Sequence, residues 1–386
     1  MNMRNPRFDD LRPYYDEEIH EAMGRIADSE MFPILSSFVY PNRDMKEIKD
    51  MIRGYTSIEQ FQLQVMKAAN EQIVARSIRK LSHGGIEKLD REKRYLFVSN
   101  HRDIMLDATL LQYILHLSGH RTSEISFGSN LMRPQLVVDI GKSNKMYKII
   151  RESGSMKDFY ANSLHLSEYI SHAILEKKES VWIAQGNGRT KNGIDVTEPG
   201  IIKMFYLCDS SDPVRALVRL NIVPVSVSYQ WETCDAFKAL ELYRTQRDGV
   251  YVKQRDEDIN SILTGINQYK GDVHIHFGAP ISEDDLEPFN GLPGNAFNKQ
   301  VAALMTNRIN ANYRLSCNNF IASDLLNNSN LYGEHYSDEE KCAFLDHYHR
   351  ATSIEVEDME ALRKIFLGIY ANPLRGRMFG NEDFKL

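Results

Sequence analysis

Residues 95–107, YLFVSNHRDIMLD, join an apolar run to a histidine and a carboxylate. Tyr95-Leu-Phe-Val98 mixes aromatic and β-branched side chains and predicts a buried strand, whereas Ala108-Thr-Leu-Leu-Gln-Tyr-Ile-Leu115 has the length and periodicity of a helix. His101 therefore falls at a strand-to-helix turn. Imidazole titrates near neutrality, so it can take a proton from a hydroxyl and return it to a leaving group, an effect typically of ~10²–10⁴-fold in rate. Asp107, six positions on, is placed to fix its tautomer, and Asp103 competes for that role. A histidine followed by an aspartate is common, and at a strand end such a pair also serves capping, so one turn does not establish a catalytic site.

Strand-like and helical runs alternate around this turn. YLFVSN, SVWIAQ, IVPVSVSY and DVHIHFG read as strands between helical stretches, which predicts an α/β sheet layered with helices over residues 81–287. Residues 1–80 read as a helical N-terminal region, in which Thr56-x-x-Glu59 is a capping box opening a helix over residues 58–81. The turn-rich stretch Phe289–Asn295 marks a boundary, and capping boxes at Ser337-x-x-Glu340 and Thr352-x-x-Glu355 announce a helical C-terminal region over residues 296–386.

Composition excludes several classes. With 386 residues, 42% hydrophobic and 26% charged, the chain is an ordinary globular sequence. A net charge of −6 argues against a general nucleic-acid binder. No run approaches the roughly 18 apolar residues of a membrane span, and MNMRNPRFDDLRPYYDEE lacks the apolar core of a signal peptide, so a cytoplasmic location is expected. Cys208, Cys234, Cys317 and Cys342 lie far apart with no CxxC pair, so neither a zinc site nor a disulfide framework is encoded. The basic segment Arg76–Arg94 is a candidate contact for anionic lipid, or simply a solvated face.

Three further segments stand at ends of strand-like runs, where open α/β sheets place their ligands. Phe127-Gly-Ser-Asn-Leu131 is followed by Met146-Tyr-Lys-Ile-Ile-Arg151, whose arginine can grip a phosphate bidentately. Ser180–Gly193 runs a strand into a glycine-rich basic turn, where glycines let backbone amides approach an anion while Arg189 and Lys191 supply charge. That turn lacks the Gly-Lys-Ser/Thr ending of a nucleotide P-loop. Ile222–Tyr229 alone is a strand.

In order and spacing, the four blocks resemble the glycerolipid acyltransferase superfamily, the glycerol-3-phosphate and lysophosphatidic acid acyltransferases, over roughly residues 85–280. The resemblance implies a mixed sheet covered by helices, a glycerol-3-phosphate acyltransferase-like core with helical N- and C-terminal extensions. It implies His101 as general base with Asp107 as partner, and Asn130, Arg151, Gly188, Arg189 and Lys191 around the acceptor's phosphate. Val223–Tyr229 is similar to the block near the acyl-donor groove. His101-Arg102, Gly128-Ser-Asn-Leu131 and Pro224-Val-Ser-Val-Ser-Tyr229 lean toward the glycerol-3-phosphate type.

The implied reaction is direct acyl transfer in phospholipid biosynthesis, with no metal or organic cofactor. An acyl-CoA or acyl-ACP thioester is the co-substrate, and peripheral contact with the inner face of the cytoplasmic membrane is expected. Two positions depart from the family pattern: five residues rather than four separate His101 from Asp107, and Gln185, Gly186 and Asn187 stand where a glutamate is usual. Transfer to another polar lipid acceptor, and a silent lipid-binding member of the same fold, are the alternatives. His101-Arg102-Asp103 mimics a protein-kinase loop, yet Ala108 replaces its asparagine and no Asp-Phe-Gly follows.

Overall fold

The computed structural model describes residues 4–132, 134–150, 154–254 and 256–379. The described strands are β1 (Ile78–Gly84), β2 (Leu96–Ser99), β3 (Glu124–Gly128), β4 (Met146–Ile149), β5 (Val181–Ala184), β6 (Ile222–Tyr229) and β7 (Gly271–Phe277). They form one sheet in the order β1-β7-β6-β2-β5-β3-β4. The five strands from β6 to β4 are mutually parallel, β7 runs antiparallel to β6, and β1 is parallel to β7. The fold is therefore α/β with a mixed sheet, covered by helices and extended by helices at both ends.

The apolar run at 95–98 occupies the middle of this sheet. In β2, Val98 faces Ile183 of β5 and Pro224 of β6, and every residue of the strand is buried. Successive side chains point to opposite faces. Leu96 and Val98 enter one core with Ile170, Phe205, Ile222 and Met305, whereas Phe97 enters the other with Leu111, Trp182, Val225 and Ile275. A strand with both faces covered needs no polar alternation, so it reads as a continuous apolar run. The helix Leu106–Leu117 covers the second face with Leu110, Leu111 and Ile114.

The helical boundaries differ in places from those read in the sequence. The helix predicted to run to Leu81 stops at Ser77, because Ile78 onward pairs with β7 as an edge strand. Its N-cap is Ser57, which accepts from the Gln60 N–H, rather than Thr56. Ser337 and Glu340 do form a capping box. Thr352 instead ends the helix Asp338–Ala351, its hydroxyl donating to the Tyr348 carbonyl, and Asp358 accepts from the Ala361 N–H at the start of the helix Met359–Phe379. That last helix buries Leu362, Phe366, Tyr370 and Leu374. Among the described residues no helix is long and apolar enough to cross a membrane.

Candidate active site

Strands β2 and β5 end side by side, and the chain leaves β2 into the loop 100–105. Asn100 fastens this loop to β6: its side-chain oxygen accepts the Val227 N–H at 2.7 Å and its amide donates to the Val227 carbonyl at 2.9 Å. Arg102 is fully buried, donating to Asp195 at 2.6 Å and to Glu232 at 3.4 Å, with its guanidinium 5.3 Å from the Tyr313 ring centre. Lys238 donates to the Arg102 carbonyl at 2.6 Å. The residues on both sides of His101 are thus fixed to other elements of the fold.

His101 Nδ1 lies 2.8 Å from Asp107 Oδ2. The same oxygen accepts the backbone N–H groups of Arg102 at 2.6 Å and Asp103 at 2.9 Å. The other oxygen accepts the Tyr229 hydroxyl at 2.8 Å. Burial pushes the Asp107 carboxyl up, but the hydrogen bond and charge of His101, the Asp103 N–H and the Tyr229 hydroxyl outweigh it, so the group lies below the ordinary aspartate range. An ionised carboxylate makes Nδ1 the protonated nitrogen and leaves Nε2 to accept, a tautomer assigned from its partner. Asp103, the competing carboxylate, accepts instead from the Met105 and Leu106 N–H groups and caps the helix Leu106–Leu117. The five-residue spacing closes because the loop wraps its own N–H groups around Asp107, the second residue of that helix.

His101 lines a cleft of about 260 Å³ together with Asn130, Gly188, Arg189 and Lys191. The fold therefore brings together every residue singled out in the sequence except Asp107, which stands behind His101, and Arg151, which lies outside the described residues. Gly188 has φ 96°, a left-handed conformation that only glycine adopts freely. Trp182 lines the cleft edge-on to His101, ring centres 5.9 Å apart, and its indole N–H donates to Ser99 Oγ at 3.0 Å. A larger cavity of about 560 Å³ lies at the opposite ends of β3 and β5, beside Glu124 and Glu179, away from His101.

The cations of the cleft are not equivalent. Lys191 is ion-paired with Glu241, and Lys253 with Asp258 at 2.6 Å. Arg189 reaches only Ser261 Oγ, at 3.5 Å, and its buried Nη1 has no partner among the described residues. Asn130 Oδ1 is likewise buried without a partner. A carboxylate does stand against the loop where the sequence has Gln185, Gly186 and Asn187: Glu198 accepts the Asn187 N–H at 2.7 Å and occupies the space a side chain at Gly186 would fill. Glu241 and Ser261 reach the site from distant positions in the chain and carry no local signal, Glu198 lies beyond the glycine-rich turn, and Tyr229 shows in the sequence only as the end of the fourth block, with nothing to tie it to Asp107.

Residues 80–228 match the family model described as Acyltransferase. Among solved structures, the crystal structure of the 1-acyl-sn-glycerophosphate (LPA) acyltransferase PlsC from Thermotoga maritima is similar at 12% sequence identity and a TM-score of 0.35, covering 74% of this chain and 91% of that one. No curated protein matches the chain. The matched segment holds His101, Asp107, Asn130, Gly188, Arg189 and Lys191. The four sequence blocks thus stand in order along one α/β sheet, and the match to the Acyltransferase family model runs across them over residues 80–228.

Proposed function

We propose that the protein moves a fatty acyl group from an acyl thioester, acyl-CoA or acyl-ACP, to a hydroxyl of a phosphorylated glycerol acceptor, glycerol 3-phosphate or lysophosphatidic acid. One observation carries the reading: an imidazole held by a buried carboxylate shares a cleft with a guanidinium that has an open hydrogen bond. Arg189 takes the acceptor's phosphate, and Asn130 Oδ1 accepts from a hydroxyl of the same molecule. His101 Nε2 removes the proton of the reacting hydroxyl as its oxygen attacks the thioester carbonyl. The C–S bond then breaks, and the proton passes from the imidazolium to the departing thiolate. Asp107 stabilises the imidazolium between these two steps.

Positioning supplies a large part of the rate, because two bound reactants in the right geometry avoid the entropic cost of encounter. The cleft volume of about 260 Å³ falls just below the ~300–1,000 Å³ of typical ligand pockets. It suits the acceptor headgroup and the reacting carbonyl, with most of the acyl chain outside it. Peripheral contact with an anionic membrane belongs to the same proposal, although Arg79 in the basic segment is already paired with Asp272 at 2.8 Å.

The test is to incubate purified protein with radiolabelled acyl-CoA or acyl-ACP and each of glycerol 3-phosphate, lysophosphatidate and other lysolipids, with His101→Ala alongside. A labelled lipid formed only when His101 is present is expected. If no acceptor gives a His101-dependent product, the reading falls in favour of a lipid-binding member of the fold.

A further inference from the structure

Tyr229 closes β6 opposite Val273 of β7 and is buried to 2% exposure. Its hydroxyl donates to Asp107 Oδ1 at 2.8 Å and is that oxygen's partner among the described residues. The other oxygen is held by His101 and two backbone N–H groups, all from the segment 101–103. The carboxylate is therefore gripped on one side by the loop it orients and on the other by a strand of the central sheet. We infer that Tyr229 is a positioning residue for acyl transfer, locking the plane of the Asp107 carboxylate so that it presents His101 Nε2 to the acceptor hydroxyl.

The geometry gives the hydroxyl two effects. A carboxylate bonded at one oxygen alone can rotate about its Cβ–Cγ bond, and the imidazole would turn with it. The Tyr229 bond removes that freedom from a direction the loop cannot reach. The hydroxyl also draws negative charge toward Oδ1, away from the oxygen facing His101, which moderates the pull on the imidazolium and favours return of the proton to the thiolate. Neither effect involves contact with substrate, since Tyr229 does not line the cleft.

The inference rests on His101 being the general base, so the experiment separates the two. Tyr229→Phe is compared with wild type, Asp107→Asn, His101→Ala and the Tyr229→Phe/Asp107→Asn double variant in steady-state acyl transfer. Loss of a hydrogen bond to a charged group predicts a fall in kcat of about 10- to 100-fold in Y229F, with KM for both substrates within about twofold. In the Asp107→Asn background the same change has no further effect beyond about twofold, because Tyr229 acts through the carboxylate. The acid limb of the kcat/KM profile moves to higher pH in Y229F, since a less shared carboxylate holds the imidazolium more strongly.

A merely structural tyrosine would lower thermal stability without moving that limb or interacting with Asp107. Replacement of Tyr229 by 3-fluorotyrosine, which keeps the ring and strengthens the donor, covers the case in which Y229F does not fold, and it moves the acid limb to lower pH. Wild-type kcat in Y229F, equal losses in both backgrounds, or an unmoved limb in the fluorotyrosine protein would each overturn the positioning role. Full turnover in His101→Ala would instead overturn the functional reading, whatever Tyr229 does.

Discussion

Arg189 and Lys191 line the same cleft two residues apart, and the structure assigns them opposite consequences when removed. Among the described residues Arg189 has no partner for its buried Nη1 and only a weak contact to Ser261 at 3.5 Å, so its hydrogen-bonding capacity is open to a ligand. A charge-assisted hydrogen bond to phosphate contributes about 1.5–3 kcal/mol, or roughly 10- to 150-fold in affinity at about 1.4 kcal/mol per decade. Arg189→Gln should therefore raise KM for the phosphorylated acceptor by that factor, with little change in melting temperature, since no carboxylate among the described residues loses its partner. The Lys191 ammonium already belongs to Glu241, and the two side chains are only 29% and 11% exposed. A phosphate there exchanges one anion for another, so the net gain is at most about 1 kcal/mol, below roughly fivefold in KM.

Lys191→Gln instead leaves the buried Glu241 without its cation, at a stability cost of about 1–3 kcal/mol. The crossed result is the signature: R189Q acts on KM, and K191Q on the urea midpoint. Glu241→Gln, which releases the lysine, should lower KM. Initial rates over a range of acceptor concentration at saturating acyl donor, with urea unfolding of the same preparations, provide both readouts. Equal KM effects of R189Q and K191Q, or no KM effect of R189Q, would refute the ranking.

Three further outcomes follow from the same geometry. Asp107→Asn keeps the shape but directs backbone N–H groups of Arg102 and Asp103 at a side chain that no longer carries charge, and kcat should fall by ~10³–10⁴, as in other His-carboxylate pairs, while circular dichroism stays unchanged. Burial, with the nearby charges of Arg314, His276 and His83, pushes the His274 imidazole down to about 4 from 6.5. The unfolded chain therefore binds this proton first as pH falls, and stability from this group, constant above pH 6.5, declines between pH 6.5 and about 4. His274→Gln should flatten that decline in urea midpoints measured at both ends of the window. Gly265→Ala would set a methyl 2.3 Å from Asp103 Oδ2 and so displace the carboxylate whose other oxygen, Oδ1, caps the helix bearing Asp107; it should cost about 1–3 kcal/mol of stability and lower kcat together.

The strand, turn and helix around His101 were legible because each carries its signal locally. β2 is buried on both faces and reads as unbroken apolar sequence, and the helix after it presents Leu110, Leu111 and Ile114 to one core. The pairing of His101 with Asp107 was legible for the same reason, since both lie within one loop and one helical turn. β1 was hidden. As an edge strand with most of its side chains exposed or half-exposed, it shows no alternation, and its one partner, β7, lies almost two hundred residues away. Thr352-x-x-Glu355 misled because the pattern reports a threonine that can cap, not which end of a helix it meets. Glu241 and Ser261 were illegible as site residues because nothing in their neighbours refers to residues 189–191, and the fourth block that ends in Tyr229 gives no sign of its bond to Asp107; only the folded chain brings them there.

The polar atoms on the two sides of His101 differ in what could reach them, since those that line the cleft face a ligand and those behind it do not. Behind His101, both Asp107 oxygens are bonded and the Arg102 guanidinium reaches Asp195 and Glu232, so the base is held from several elements, while Asp195 Oδ1 and Asp103 Oδ2 are buried without partners among the described residues. In front of it, Asn130 Oδ1 and Arg189 Nη1 belong to residues lining the cleft and have no partners among the described residues. A buried polar atom left unbonded costs on the order of 1–3 kcal/mol, more when it is charged. Of the unpartnered atoms around the base, the donor on Arg189 and the acceptor on Asn130 belong to residues lining the cleft, where a ligand with a phosphate and a hydroxyl would relieve that cost at both ends. Stability and substrate choice then have a common origin: acceptor binding should protect the loop 186–191 against hydrogen exchange most strongly at Gly188 and Arg189, and Arg189→Gln should abolish that protection while leaving the backing around Asp107 as slow to exchange as before.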